Sequence, residues 1–582
     1  MKTKLLLFIL FFGTFMISNA QISIPPIKPS KFENKNIDFF SQNKNTQAVQ
    51  NLPYPIIFIH GLNSISDVWY DLGLQLVNSG LTVGGRIDFC LNDNGSNTIS
   101  NKLVWPTPNA DIALYTDYNN NLSVGDFYFL NFDVDNFGRV RSNSSFSDVL
   151  SNESAIVKQG VALNIAIQIV LQKTGRDKVI IMGHSMGGLC GREYLQNPSI
   201  WTEPNVNHHI AKLITTGTPH GGYTGTNAGI VSGIDSSSEA YRDLRKEYTW
   251  SGCVGAYLYG GIENQTNIDN SAFSDFYNVD VNCNGINGDN SMIVGLNQRN
   301  LPLTLDFSYI IGKCDNCGAL QGSIEGDGIV RSVNANLNNF YTLPTPVNEF
   351  THQANASNPL IGLHSDLPKA ISVNFQGLDE PNETNVAYGV IYSNTYRGFV
   401  TNQPVGGYTY DYDDYKFSVN SNSQVNVILN NTLSYPIYAR ILNSSNVQVG
   451  QVQTISSGSN ILSQNLSVGL YYLEIFATPT STSYLNPYTF SLSSTLSNPD
   501  FASASSLEIY PNPTSTKVFF DNSTQKFETA TVVNYLGQVI AETRFSTFES
   551  NQEVDLSSFL AGVYIVKFAN GDKSITKKVI KE

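Results

Sequence analysis

Between residues 52 and 375 several short runs are apolar at successive positions rather than at alternate ones. PYPIIFIHG (53–61), DFYFLNFDV (126–134), KVIIMGHS (178–185), HIAKLITTGTP (209–219) and LDFSYIIGK (305–313) all have this form. A strand that is apolar on both faces has to be covered on both faces, which is the condition of a parallel sheet held between helical layers. The intervening stretches supply the helices. SDVWYDLGLQLVNSG (66–80) and ESAIVKQGVALNIAIQIVLQKTG (153–175) carry apolar residues at helical spacing and stop at Gly80 and Gly175. The expected fold class is therefore α/β, a mostly parallel sheet flanked by helices, over residues 21–375.

Past residue 376 the pattern becomes alternating. YKFSVNSNSQVNVILN (415–430) and GLYYLEIFA (469–477) place turn residues at short intervals with no helical period. This predicts a β-sandwich over 376–495, a linker at 496–506 containing NPDFASASS, and a second all-β module at 507–582. No short-period repeat is evident, which argues against a solenoid.

The first twenty residues read as a targeting segment. Lys2 and Lys4 precede an apolar run from Leu5 to Ile17, and Ser18-Asn19-Ala20 supplies small residues for cleavage. Cleavage after Ala20 and export are expected, and no other stretch reads as a membrane span. Export makes disulfides the default for the six cysteines. Cys314-Asp-Asn-Cys317 has no second pair at zinc spacing and no nearby histidine, so a local disulfide is preferred there, with Cys253–Cys283 as a second. The net charge is −14, from 34 Lys and Arg against 48 Asp and Glu. No basic cluster lies away from the termini, which excludes nucleic acid and other polyanions as partners.

The chemistry is concentrated at Gly183-His184-Ser185-Met186-Gly187. A strand leads straight in and a helix follows, so the two glycines permit a tight turn that lifts the Ser185 hydroxyl to the carboxyl edge of the sheet. A serine hydroxyl is a weak nucleophile and needs a base, which in turn needs an orienting carboxylate. GSIEGDGIVRS (322–332) offers Asp327 on an acidic turn after a strand, with Glu325 as its rival. PLIGLHSDLPKAI (359–371) offers His364 just before the closing helix, with His352 as its rival. Donors for the developing oxyanion are expected from the amides of Leu62, just after FIHG, and Met186. His60 reads as a brace for that loop, and His184 as packing.

Taken in order, PIIFIHGL, GHSMGGL, TTGTPHGG and EGDGIV resemble secreted bacterial triacylglycerol lipases and esterases of the α/β-hydrolase superfamily, over about residues 52–375. That resemblance implies Ser185 as nucleophile, Asp327 as orienter, His364 as base, and ester hydrolysis through an acyl-enzyme. The stretch between Gly222 and Leu305 departs from the pattern, and GCVGAYLYGG (252–261) within it is a candidate lid or capping segment. DEPNETNVAYG, YDYDDYKFSV and GLYYLEIFA resemble the pre-peptidase C-terminal β-sandwich, whose acidic loops at Asp379-Glu380 and Asp411 to Asp414 read as calcium ligands or solvated turns. LEIYPNPTSTKVFF, GVYIVKF and KKVIKE resemble the C-terminal sorting domain of the type IX secretion system, which implies that machinery as a partner and a protein released from, or attached to, a Gram-negative cell.

No cofactor is required for such chemistry. A structural calcium has two further candidate positions: the loop from Asp280 through Asn282 and Asn284, which begins like a calcium loop but has Ser291 at its twelfth position, and Asp366, two residues after His364, where the resembling lipases hold one. The expected function is a secreted serine carboxylic-ester hydrolase, a lipase acting on a lipid or ester substrate. Alternatives are a deacylase of phospholipids or other acyl esters, a peptidase, and a non-catalytic surface adhesin on a hydrolase scaffold.

Overall fold

The computed structural model describes residues 24–31, 50–93, 112–140, 151–201, 208–222, 238–244, 248–250, 253–255, 296–314, 325–344, 348–353, 362–372, 375–401, 410–478, 487–496, 507–524, 526–534, 537–571 and 573–582. The proposed targeting segment, the Cys253–Cys283 and Cys314–Cys317 pairings in part, and the Asp280–Asn284 loop lie outside them. So does most of the candidate lid.

The first module is built on an eight-stranded sheet. Its strands are β1 (Ile56–Ile59), β2 (Val83–Cys90), β3 (Ala113–Leu114), β4 (Phe127–Asn131), β5 (Val179–His184), β6 (Ile210–Thr216), β9 (Asp306–Lys313) and β10 (Asn348–Gln353). Between β6 and β9, β7 (Tyr248–Trp250) and β8 (Cys253–Gly255) form a separate hairpin. The sheet order is β10-β9-β6-β5-β1-β4-β2-β3, and every pairing is parallel except the short β2–β3 edge. β1, β4 and β5 are buried at every position, as the unbroken apolar runs require of strands covered on both faces.

Helices α1 (Tyr70–Asn78), α2 (Ile156–Thr174), α3 (Met186–Gln196) and α4 (Leu367–Ser372) cover the sheet. α2 stops where the chain turns left-handed: Gly175, at φ 68°, donates its N–H to the Leu171 carbonyl at 2.8 Å. That is the conformation glycine adopts at least cost. One face of the sheet builds a core from Ile57, Ile59, Tyr128, Leu130, Val161, Ile165 and Ile181 with their neighbours.

The second module is the expected sandwich. One sheet runs β11 (Tyr388–Gly389), β13 (Asp411–Val419), β18 (Gly469–Ala477), β15 (Ile437–Asn443), β16 (Gln448–Ile455). The other runs β12 (Thr395–Gly398), β19 (Tyr488–Leu496), β14 (Ser423–Asn431), β17 (Gly458–Leu466). Alternate residues of β14 point inward, so Val425, Val427 and Leu429 are fully buried.

The sandwich and the hydrolase-like module are not separately cored. Phe58, Trp69, Leu72, Phe127, Met182 and Ile371 belong to the same apolar cluster as Tyr388, Tyr396, Tyr415, Val427 and Ile437. Polar ties cross the same boundary. Gly389 N–H donates to the Tyr54 hydroxyl at 2.9 Å, Arg176 to the Tyr396 hydroxyl at 3.2 Å, and Arg397 N–H to the Asn51 carbonyl at 2.9 Å. Residues 1–495 accordingly form one compact unit and 496–582 another. The second unit is all antiparallel strands around Val518, Phe520, Val532, Val566 and Phe568.

Candidate active site

β5 delivers the chain to Ser185, which sits at φ 55°, ψ −127°, and α3 starts at the next residue. Few non-glycine residues adopt such a backbone, and holding one there costs on the order of 1–3 kcal/mol that the surrounding packing must offset. The flanking glycines are what make the turn possible. A Cβ on Gly183 would come within 2.4 Å of Gly187 and Gly188 backbone atoms, and one on Gly187 within 2.6 Å of the Ile59 carbonyl oxygen. Ser185 N–H donates to Thr216 O at 2.8 Å, fixing the elbow to the end of β6. The N-terminus of α3 lies directly beneath it, with its positive dipole end, and Gly188 N–H donates back to the Ser185 carbonyl at 3.1 Å.

Asp327 and His364, 37 residues apart in sequence, meet as a pair. His364 Nδ1 donates to Asp327 Oδ2 at 2.7 Å, and the His364 N–H donates to the Asp327 main-chain oxygen at 2.9 Å. The other carboxylate oxygen, Oδ1, accepts from Ile329 N at 3.0 Å and Val330 N at 2.7 Å. Both side chains are buried. A carboxylate held at both oxygens fixes the imidazole's tautomer and leaves Nε2 with its lone pair.

The pair and the elbow abut. Gly217, the residue after Thr216, is at φ 54°, and a Cβ there would lie 3.0 Å from Asp327 Oδ2 and 3.1 Å from His364 Nδ1. The His184 ring, one residue before Ser185, packs 4.8 Å centroid to centroid from the His364 ring, and its Nε2–H donates to the His364 carbonyl at 2.9 Å. Burial, reinforced by the neighbouring His364, holds His184 well below the usual imidazole range, so it stays neutral. The sequence points to packing alone for His184; in the fold it also anchors the backbone of His364. Neither Gly217 nor this bond leaves a signal in local sequence, although the TTGTPHGG motif marks the segment that carries Gly217.

The rivals lie elsewhere. Glu325 is largely exposed and pairs with Lys313 at 2.7 Å, while His352 sits on β10 and hydrogen-bonds to Gln376. On the other side of Ser185, a Cβ on Gly61 would fall 2.6 Å from the Ser185 Cβ and 3.2 Å from Oγ, so the loop after β1 runs against the serine. Leu62 follows it, half-buried, and Met186 is buried as the first residue of α3. His60 braces this loop: its Nε2 accepts from Phe132 N–H at 2.9 Å, so its Nδ1–H donates to Gly61 O, also at 2.9 Å.

Asp366 is half-buried in the turn with His364, and its N–H bonds to Leu363 O. It is not part of the acidic grouping found among the described residues, which is Asp379, Glu380 and Asp413. Cys90 and Cys190, which neither expected pairing uses, are buried free thiols, so the disulfide default of an exported chain does not hold for them. Each lies inside an apolar core, where burial raises its thiol pKa and leaves it inert. Cys314 is disulfide-bonded to a residue outside the described ones.

Comparison with known proteins agrees with this architecture. Residues 54–231 match the family described as alpha/beta hydrolase fold, and residues 508–582 match the secretion system C-terminal sorting domain. Among solved structures, the lin2722 gene product of Listeria innocua is 12% identical, with 54% of this chain and 88% of that one covered and a TM-score of 0.28. The pre-peptidase C-terminal domain of a Bacillus anthracis collagenase is 19% identical, with 20% of this chain and 99% of that one covered and a TM-score of 0.16. No curated protein matches. The chain thus carries an alpha/beta hydrolase fold and ends in a secretion-system sorting domain, which makes it a secreted or cell-surface hydrolase-fold protein of a Gram-negative bacterium.

Proposed function

We propose that the protein is a serine carboxylic-ester hydrolase of the lipase type. The observation that carries this reading is the buried Asp327–His364 pair, hydrogen-bonded at both carboxylate oxygens and lying against the segment that fixes Ser185. In this reading His364 Nε2 removes the Ser185 Oγ proton as Oγ attacks the ester carbonyl. The amides of Leu62 and Met186 receive the tetrahedral oxyanion. The intermediate collapses, the C–O bond to the alcohol breaks, and His364 returns its proton to the leaving oxygen. Water, deprotonated by His364, then attacks the acyl carbon, the bond from that carbon to Ser185 Oγ breaks, and His364 returns the proton to Oγ as the acid leaves. Asp327 keeps its charge throughout and stabilises the imidazolium. Deacylation of a triglyceride or of a phospholipid would follow the same steps.

The test is hydrolysis of p-nitrophenyl esters of short and long acyl chains beside a peptide panel. Ester turnover by the wild type, with Ser185→Ala and His364→Ala each down by roughly 10^4 to 10^6 in kcat, is the expected result. Cleavage of peptides without esters, or full esterase activity in Ser185→Ala, would overturn the reading.

A further inference from the structure

A cleft of about 510 Å³ lies where the hydrolase sheet meets the sandwich. Its hydrolase wall is Tyr54, just before β1, with Gly175, Arg176 and Asp177 on the turn between α2 and β5. Its sandwich wall comes from the segment after β11, from β13 and from Leu470 on β18. β5, six residues long, starts at this end of the sheet and delivers Ser185 at the other, about 20 Å away. Open α/β sheets carry their active sites outside the carboxyl ends of the strands. The cleft stands at the amino ends, so it is a second site.

Its walls are largely apolar. Ile391 is 56% and Leu470 40% exposed, so aliphatic surface is left in water inside the cleft. Tyr392 and Phe417, which also line it, pack edge to face with centroids 6.3 Å apart. The Tyr54 hydroxyl is already engaged by Gly389 N–H, and burial pushes its pKa up to about 12, so it presents a neutral ring.

Three cations stand around these walls. Arg176 is committed: Nε donates to Gln50 Oε1 at 3.0 Å and Nη1 to the Tyr396 hydroxyl at 3.2 Å. Arg176 and Lys178 directly follow α2 and offset its negative pole, with the exposed Asp177 between them in sequence. Lys416 enters from the opposite wall, on β13, and has no ion-pair partner among the described residues. Burial and the nearby Lys416 ammonium together lower the Lys178 pKa, so the two positive charges face one another with nothing negative to separate them but Asp177.

We propose that this cleft binds a long-chain carboxylate, its acyl chain against Ile391, Leu470 and Phe417 and its carboxylate on Lys416. Small-molecule sites run to about 300–1,000 Å³, are mostly apolar with a few placed polar groups, and favour the junctions between domains. A monoanion matches the single uncommitted ammonium. A phosphate head would call for the bidentate fork of an arginine, and that of Arg176 is taken. A saccharide would bring hydroxyls against Ile391 and Leu470, which offer them no hydrogen bond. The site does not depend on ester cleavage at Ser185, because none of its residues belongs to that machinery.

The test is calorimetry on the full-length chain, with decanoate kept below its micelle concentration. Decyltrimethylammonium carries the same chain with the opposite charge, acetate the head alone, and maltose stands for sugars. Decanoate should bind with a Kd of roughly 1 mM or tighter, and the other three should not bind at the cleft. Lys416→Met removes the ammonium but keeps the stem, and Leu470→Asp sets a like charge beside the ligand. Each should weaken decanoate binding at least about tenfold. Both residues are partly exposed, so both variants should fold, with circular dichroism as the check. If one does not, the other still decides. Decanoate held at the active site would survive both substitutions, so a wild-type isotherm in both variants would overturn the cleft as the site. No heat of binding up to about 1 mM decanoate would overturn it as well. Equal affinity for decyltrimethylammonium would overturn the role of Lys416, and maltose binding that is lost in Leu470→Asp would make this a sugar site instead.

Discussion

Asp327 gives one carboxylate oxygen to two backbone N–H groups and the other to His364, so its charge and its geometry act together. Asp327→Asn keeps the shape but presents an amide that favours the wrong imidazole tautomer, and kcat should fall about 10^4-fold with the fold intact. Steady-state kinetics beside circular dichroism would check this, and a loss under tenfold would argue against the assignment. His184 works one step further out, through the His364 carbonyl. His184→Leu removes that donor, and kcat should drop roughly ten- to a hundredfold while KM holds. His184→Gln restores an N–H and should recover most of the rate with an unchanged pH profile. Equal rates in the leucine and wild-type enzymes would leave His184 a packing residue only.

Among the secondary-structure elements, the strands carry several histidines into low-dielectric surroundings. His184 ends β5, His208 and His220 flank β6, and His352 lies on β10. Burial holds all four below the ordinary imidazole value, with His208 down at about 4. A histidine whose folded pKa lies below its unfolded value binds fewer protons folded than unfolded. Its contribution therefore leaves stability intact above the unfolded value, near 6.5, and erodes it as pH falls towards the folded one. Urea unfolding should show stability declining from pH 7 to pH 5. His208→Gln should flatten that slope by up to about 1.4 kcal/mol per pH unit. A slope that is the same in variant and wild type would mean that His208 already titrates normally in the fold.

For the whole molecule, the shared core decides which cuts the chain tolerates. Ending the chain at residue 375 would strip Tyr388, Tyr396 and Tyr415 from the cluster that also holds Phe58, Trp69 and Phe127. It would expose a large contiguous apolar surface. Residues 21–375 alone should therefore aggregate or melt well below the full chain, whereas residues 21–495, which keep the first compact unit, should retain esterase activity and midpoint. A stable, active 21–375 fragment would show the sandwich to be dispensable to the fold. The sorting domain implies processing as well: intact mass of the extracellular protein from its host should lack residues 1–20 and most of the chain beyond Asp500. Full-length mass on active enzyme would contradict that.

The sequence by itself determined whatever depends on neighbours along the chain. Unbroken apolar runs announced a parallel sheet, alternation after residue 376 announced the sandwich, and the glycines around Ser185 announced a turn that only they permit. Other features needed the chain to be folded. Asp327 and Glu325 are two residues apart on one acidic turn, and nothing local separates them; the fold does, by burying one against His364 and leaving the other in solvent with Lys313. The hydrogen bond from His184 to His364 spans 180 residues and leaves no mark in either segment. The merging of the sandwich core with the hydrolase core was equally hidden, because periodicity reports that a face is apolar and says nothing of what covers it. Local pattern fixes which side chains point inward. Only the tertiary structure, by bringing distant segments into contact, decides which of them meet.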